Sequence, residues 1–148
     1  MLADMLFGLD PVLSPDLLHA LAAMGHGDRI ALVDANYPAT RGRRVIHLPG
    51  LDTPRVLRAV LSVLPIDTFI ADPCATMQVV GDASAVPPVV AEMNAALAKA
   101  GAKAAVSVDR HAFYAAAEEA YAVVQTGERR FYGNILLTKG VVPPEDRT

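Results

Sequence analysis

Four short stretches of this 148-residue chain carry side chains able to move a proton or hold a hydroxyl group. Gly25-His26-Gly27-Asp28 sets an imidazole between two glycines, where the backbone can bend closely and the ring is not committed to core packing. An unperturbed imidazole titrates near pH ~6.5, so one such ring can both give and take protons around neutrality; the rival reading is an ordinary turn histidine. Asp34-Ala35-Asn36-Tyr37-Pro38 places a carboxylate, an amide and a phenol on a proline-stiffened loop, unless Asp34 is simply a strand-end acid satisfied by backbone N–H groups. Arg110 can bind a hydroxyl or an anion, although a helix start is a poor place for a cation and a structural salt bridge is its equal rival. Tyr132-Gly133-Asn134 offers a phenol, a permissive backbone and an amide, against the alternative of a plain turn. Acids, amides and phenols at loop positions suit a small neutral polyol better than a nucleotide.

Several other chemistries lack support. Gly25-His26-Gly27 lies between a helix and a strand rather than after a strand, and has no third glycine at the dinucleotide-binding offset. P-loop, nucleophile-elbow and common zinc motifs are missing, and the histidines at 19, 26, 47 and 111 are far apart, so neither a metal nor a cofactor is expected. Thirteen basic against sixteen acidic residues, with no block of like charge, argue against nucleic acid. The chain is 53% hydrophobic, yet its longest stretch free of Asp, Glu, Lys, Arg and His is nine residues, against the ~20 that a membrane helix needs. Its first residues carry acid and no Lys or Arg, unlike a secretory leader. One cysteine, Cys74, rules out an intramolecular disulfide; the expectation is a cytoplasmic protein with a buried, inert thiol. The apolar excess points to burial between subunits, hence a homo-oligomer. Arg41, Arg43 and Arg44 could hold an anion, though a solvated loop accounts for them better.

The elements that must position these groups follow from periodicity. Ser14-Pro15-Asp16 caps a helix with Leu17, Leu18, Leu21 and Met24 on one face, and Gly25 stops it. Arg29 to Asp34 reads as a strand covered on both faces, and Arg44 to Leu48 as a second. Thr53-Pro54 caps a helix running to Pro65, a strand follows near Ala75 to Val80, and Pro88 to Ala100 forms a third helix. Ala104 to Val108 is a strand, Asp109 caps a helix to about Ala120, and strands at Ala122 to Gln125 and Ile135 to Thr138 precede a polar tail. Helices alternating with short apolar strands predict a single α/β domain over residues 1–148, layered α/β/α around a mostly parallel sheet. Ligands in such sheets sit beyond the carboxyl ends of the strands, where Asp34 and Asp109 lie.

Four separated blocks, S-P-D-L-L-H-A-L-A-A-M-G-H-G-D, V-D-A-N-Y-P-A, D-R-H-A-F-Y and T-G-E-R-R-F-Y-G-N-I-L-L-T-K-G-V, resemble the L-fucose mutarotase and D-ribose pyranase (RbsD/FucU) family over about Val12 to Val142. The resemblance implies a cofactor-free converter of sugar anomers, usually a ring-shaped decamer with sites near subunit contacts. It places a proton-donor histidine at His26, a sugar-binding aspartate at Asp34, and sugar-binding segments at Arg110 and Tyr132-Gly133-Asn134. Arg110 and the N-Y-P after Asp34 look like the fucose branch, with Tyr37 where phenylalanine is expected; the loop Thr40 to Arg44 is shorter and richer in arginine than that branch. D-ribose pyranase chemistry and a non-catalytic sugar-binding or transport-accessory role are the alternatives.

Anomer exchange needs the ring oxygen protonated while the anomeric hydroxyl loses its proton, so that the ring opens to the aldehyde, C1–C2 rotates and the ring recloses. His26 is the expected acid–base group, Asp34 orients it or holds hydroxyls, Arg110 and Asn134 hold hydroxyls, and Tyr132 relays or stabilises the second proton. Positioned acid–base groups typically contribute about 10²- to 10⁴-fold, so His26→Ala is expected to lower turnover at least about tenfold in a folded, assembled protein. An active, well-folded variant would remove His26 from the mechanism.

Overall fold

The computed structural model describes residues 6–144. The expectations placed on residues 1–5 and 145–148, the non-basic start and the end of the polar tail, lie outside the described residues. Helix α1 (Pro15–Ala23) begins where Ser14 Oγ accepts the Leu17 N–H at 3.3 Å. It ends one residue before Met24, and the Lys139 ammonium donates to the carbonyls of Leu21 and Met24, satisfying the end of the helix where a cation is favoured. Helix α2 (Thr53–Leu61) is capped by Asp52 rather than by Thr53: Asp52 Oδ1 accepts the Arg55 N–H at 2.8 Å. The Thr53 hydroxyl is buried and donates instead to the Gly133 carbonyl at 2.8 Å, a long-range bond that removes it from capping. Helices α3 (Pro88–Lys99) and α4 (Arg110–Glu119) fall where periodicity puts them, with the Asp109 carboxylate accepting from the His111 and Ala112 N–H groups of α4.

Strands β1 (Arg29–Val33), β2 (Val45–Leu48), β3 (Cys74–Met77), β4 (Val106–Val108), β5 (Ala122–Thr126) and β6 (Ile135–Thr138) form one sheet in the order β2-β5-β1-β6-β3-β4. All pairings are parallel except those of β6, which runs antiparallel to both β1 and β3. Two strands are shorter than their sequence suggests. β3 stops at Met77 rather than Val80 because Val79 turns back to bridge Asp82. β4 starts at Val106 rather than Ala104 because the Ala105 N–H is taken by Asn94 Oδ1 of α3 at 3.0 Å. A 3-10 turn at Ala39–Arg41 is an addition that no apolar period announces.

The uninterrupted apolar runs now have a reason. Ile30, Leu32, Val124, Ile135 and Leu137 point to one face, under α1, α2 and α3, while Ala31, Val33, Val123 and Leu136 point to the other, under α4 and the 3-10 turn. With a strand period of two, burial on both faces demands an apolar residue at every position. The sheet is therefore a slab with two distinct ends. At one end the five parallel strands finish and β6 begins; at the other they start and β6 finishes.

Candidate functional site

At the carboxyl end of the parallel strands, Asp34, Arg110, Tyr132 and Asn134 line one open cleft of about 210 Å³, together with Asn36 and Tyr114. The side chains arrive from three segments: the loop after β1, the helix α4 and the connection between β5 and β6. Asp34 is the first residue past β1, Arg110 opens α4, and Asn134 directly precedes β6. The Asp34 N–H donates to Asn134 Oδ1 at 2.8 Å, and one Asp34 oxygen accepts the Asn36 N–H at 3.0 Å. Burial, with 5% of the residue exposed, lifts the Asp34 carboxyl above the usual aspartate value, against the hydrogen bonds from Asn36, Asn134 and Tyr37 that favour its charge.

Tyr132 stands at φ 69°, a left-handed conformation that bulky residues rarely adopt and that the surroundings must enforce. Its hydroxyl accepts the Val80 N–H at 3.0 Å, which leaves the phenolic hydrogen free to donate into the cleft. Gly133 is required by close approach: a Cβ there would lie 2.5 Å from Glu128 Cγ. Its contribution is backbone fit.

His26 is elsewhere. It precedes β1 while Asp34 follows it, and the five residues of β1 span roughly 16 Å at ~3.3 Å per residue, so imidazole and cleft occupy opposite ends of the same strand. Within one chain Asp34 therefore cannot orient His26. Asp67 does: its Oδ1 lies 3.0 Å from His26 Nε2 and also accepts the Phe69 N–H at 3.0 Å. The Phe69 N–H, followed by His26, holds the Asp67 carboxyl below its usual value, so it stays ionised and can only accept. The bond must run from Nε2–H, leaving Nδ1 to exchange protons. Phe69 meets the imidazole edge-to-face at 5.0 Å between centroids, and 39% of the His26 side chain stays accessible. Gly140 permits this arrangement, since a Cβ there would lie 2.8 Å from Ile66 O and from Asp67 Cα.

Asp67 and Tyr114 escaped the sequence reading. Asp67 sits in an irregular segment and acquires a role only through its contact 41 residues away. Tyr114 had a legible signal, because it follows Arg110 by four positions on α4 and so shares its face. Tyr37, buried and edge-to-face with both Phe113 and Tyr114, backs the cleft, and its burial pushes the phenol well above its usual value. The arginine loop is engaged: Arg41 pairs with Glu118, Arg43 with Glu119, and Arg44 lies over the Tyr121 ring at 4.1 Å. Cys74 is buried, which pushes its thiol up to about 12 and keeps it protonated. Among the described residues no three His, Cys, Asp or Glu side chains gather as a metal site.

Comparison with known proteins gives a consistent result. The model of the RbsD / FucU transport protein family matches residues 8–142. A fucose mutarotase of Bos taurus is 42% identical over 146 residues, covering 94% of this chain and 95% of the bovine protein. An L-fucose mutarotase of Glaesserella parasuis is 45% identical over 142 residues, covering 94% of this chain and 97% of its own. The crystal structure of the fucose mutarotase from Streptococcus pneumoniae in complex with L-fucose superposes with a TM-score of 0.88 at 35% identity, covering 93% of this chain and all of that one (100%). Bacillus subtilis RbsD complexed with D-ribose, 22% identical with a TM-score of 0.72 over 88% of this chain and 95% of its own, shares the fold.

The raised Asp34 carboxyl has a consequence for stability. The folded chain holds this proton more tightly than the unfolded one, so the ionised group opposes folding above its folded value, and the penalty fades as the pH falls toward the ordinary 3.8. Asp34→Asn is expected to unfold at a midpoint equal to or above the parent's at pH ~7.5, the gap closing toward pH ~4. Thermal scans across that range check it, and a lower midpoint at neutral pH would contradict it.

Proposed function

The chain belongs to the RbsD / FucU transport protein family, and from that membership we propose that it is an L-fucose mutarotase, a cofactor-independent isomerase of free monosaccharide anomers, built as one domain over residues 1–148. The observation that carries this reading is the cleft in which Asp34, Arg110, Tyr132 and Asn134 converge with both acceptors and donors. At about 210 Å³ it falls below the ~300–1,000 Å³ of common ligand pockets, in keeping with one small sugar and with a wall supplied from outside the chain. Asp34 accepts from sugar hydroxyls, while Arg110 and the Asn134 amide donate to them.

Only protons pass between the protein and the sugar in the reaction. His26 Nδ1 delivers or removes a proton at the reacting oxygens, and the Tyr132 phenol relays or stabilises the second. The C1–ring oxygen bond breaks as the anomeric hydroxyl is deprotonated, C1–C2 turns, and attack of the freed hydroxyl on the other carbonyl face restores the ring. Because imidazole and cleft lie at opposite ends of β1, the reading requires His26 of one copy to meet the cleft of the next. Exposed apolar residues lie near both ends: Phe69 against His26, Ile70 and Val142 in the groove that Asp67 lines, and Val80 and Phe131 in the lining of the cleft. A contact between two different patches is head-to-tail, and such contacts form a ring where the rotation between copies closes. The ring-shaped decamer implied by the family resemblance would be one such closed assembly, and a cytoplasmic location fits the single buried thiol. Among the described residues no helix is long and apolar enough to cross a membrane.

Saturation-transfer NMR between the two anomeric protons of L-fucose tests the activity, with D-ribose in a parallel tube. Protein-dependent transfer is expected in fucose; transfer mainly in ribose would move the protein to pyranase chemistry, and none in either would leave a binding protein. The shared site has its own signature. His26→Ala and Asp34→Asn, each nearly inactive alone, are expected to regain a fraction of parental exchange when unfolded together and reassembled, because mixed contacts pair one intact cleft with one intact imidazole. No recovery in mixed assemblies would place both groups in sites that each chain completes alone.

A further inference from the structure

Glu128 is a buried acid, with 3% of the residue exposed, that the reaction above does not use. Burying a carboxylate is costly, and an apolar side chain of the same volume often serves stability as well or better. What surrounds Glu128 points to a positional purpose. One carboxylate oxygen accepts the Arg130 N–H and Nε–H, each at 3.1 Å, and the other accepts Arg130 Nη2 at 3.0 Å. The same guanidinium reaches Glu92 on α3, pinning the segment to a helix. Burial alone would raise the Glu128 carboxyl, but the bonds from Arg130 outweigh it and hold it below its usual value.

The main chain of Glu128 completes the tie. Its N–H donates to Thr126 Oγ1 at 3.1 Å, and its carbonyl accepts the Ala35 N–H at 2.9 Å, next to Asp34. Gly133 packs against its Cγ, one residue from Tyr132 in its left-handed conformation. We propose that Glu128, locked through Arg130 to Glu92, is a positioning residue for sugar recognition: it forces the segment 127–134 into the shape that sets Tyr132 and Asn134 against Asp34. This rests on the reading of that cleft as the sugar site. Glu128 touches no sugar itself and acts through Tyr132 and Gly133.

A clamp that served stability alone would lower the unfolding midpoint and leave the folded protein's affinity unchanged. The test therefore measures L-fucose binding by NMR titration and exchange at saturating fucose, on assembled parent, Glu128→Gln, Arg130→Lys and Glu92→Gln. The Val80 amide resonance is followed in each, because that N–H donates to the Tyr132 hydroxyl. Glu128→Gln is expected to weaken fucose binding at least about fivefold, the scale of one hydrogen bond, to change saturated exchange by no more than about threefold, and to move the Val80 resonance. Arg130→Lys, which keeps the charge and loses the fork, falls between it and the parent. A folded Glu128→Gln with parental affinity and an unmoved Val80 resonance overturns the proposal. Should Glu128→Gln not fold, Arg130→Lys and Glu92→Gln at the accessible end of the clamp carry the test: a loss of about twofold or more supports it, and no change in either overturns it. If the parent itself does not bind fucose, the sugar-site reading fails, while the Val80 resonance still reports whether Glu128 sets the position of Tyr132.

Discussion

Between the end of β5 at Thr126 and the start of β6 at Ile135 the chain has eight residues, 127–134. A parallel return needs a crossover of about a dozen or more, so β6 has to run antiparallel. β1 also lies between β5 and β6 in the sheet, so this short connection has to pass over the carboxyl end of β1, where Asp34 sits. The cleft follows from that crossing. Tyr132, Gly133 and Asn134 are laid across the end of a buried strand, and the bond from the Asp34 N–H to Asn134 Oδ1 seals the crossing in place.

The crossing segment is held by polar contacts buried on the same side of the sheet. Thr53 Oγ1 reaches both Thr126 Oγ1 and the Gly133 carbonyl, and Thr126 Oγ1 donates in turn to the Val33 carbonyl. Glu128 and Arg130 add a charged layer above them. Satisfied buried networks of this kind narrow the chain to one geometry more than they add stability. Asp34 shows the opposing side of the same design, since the burial that fixes its position raises its carboxyl and makes the charged form work against folding.

The same rigidity separates His26 from the cleft residues. β1 is buried along Ile30 to Val33, and it holds its two ends apart in every copy. Lys139 clamps the end of α1, and Asp67 fixes the imidazole and its tautomer, so the His26 loop is as firmly set as the cleft. A strand that cannot bend keeps His26 and the cleft of one chain from meeting.

Much of this was legible in the sequence. Caps and prolines set the starts of α1, α3 and α4, unbroken apolar runs announced a sheet covered on both faces, and the polar stretches at Asp34, Arg110 and Tyr132-Gly133-Asn134 marked the residues of the cleft. Local physics decides such features: a cap acts within one helical turn and burial shows in a period of two. Three matters were settled by tertiary structure alone. Thr53 gave its hydroxyl to Gly133 and left the cap to Asp52, Asp67 rather than Asp34 took His26 as its partner, and His26 came to lie a strand's length from the cleft. Each depends on contacts between residues dozens of positions apart, or on which end of the sheet a loop occupies. No local pattern encodes that, because strand order is chosen by the packing of the whole slab.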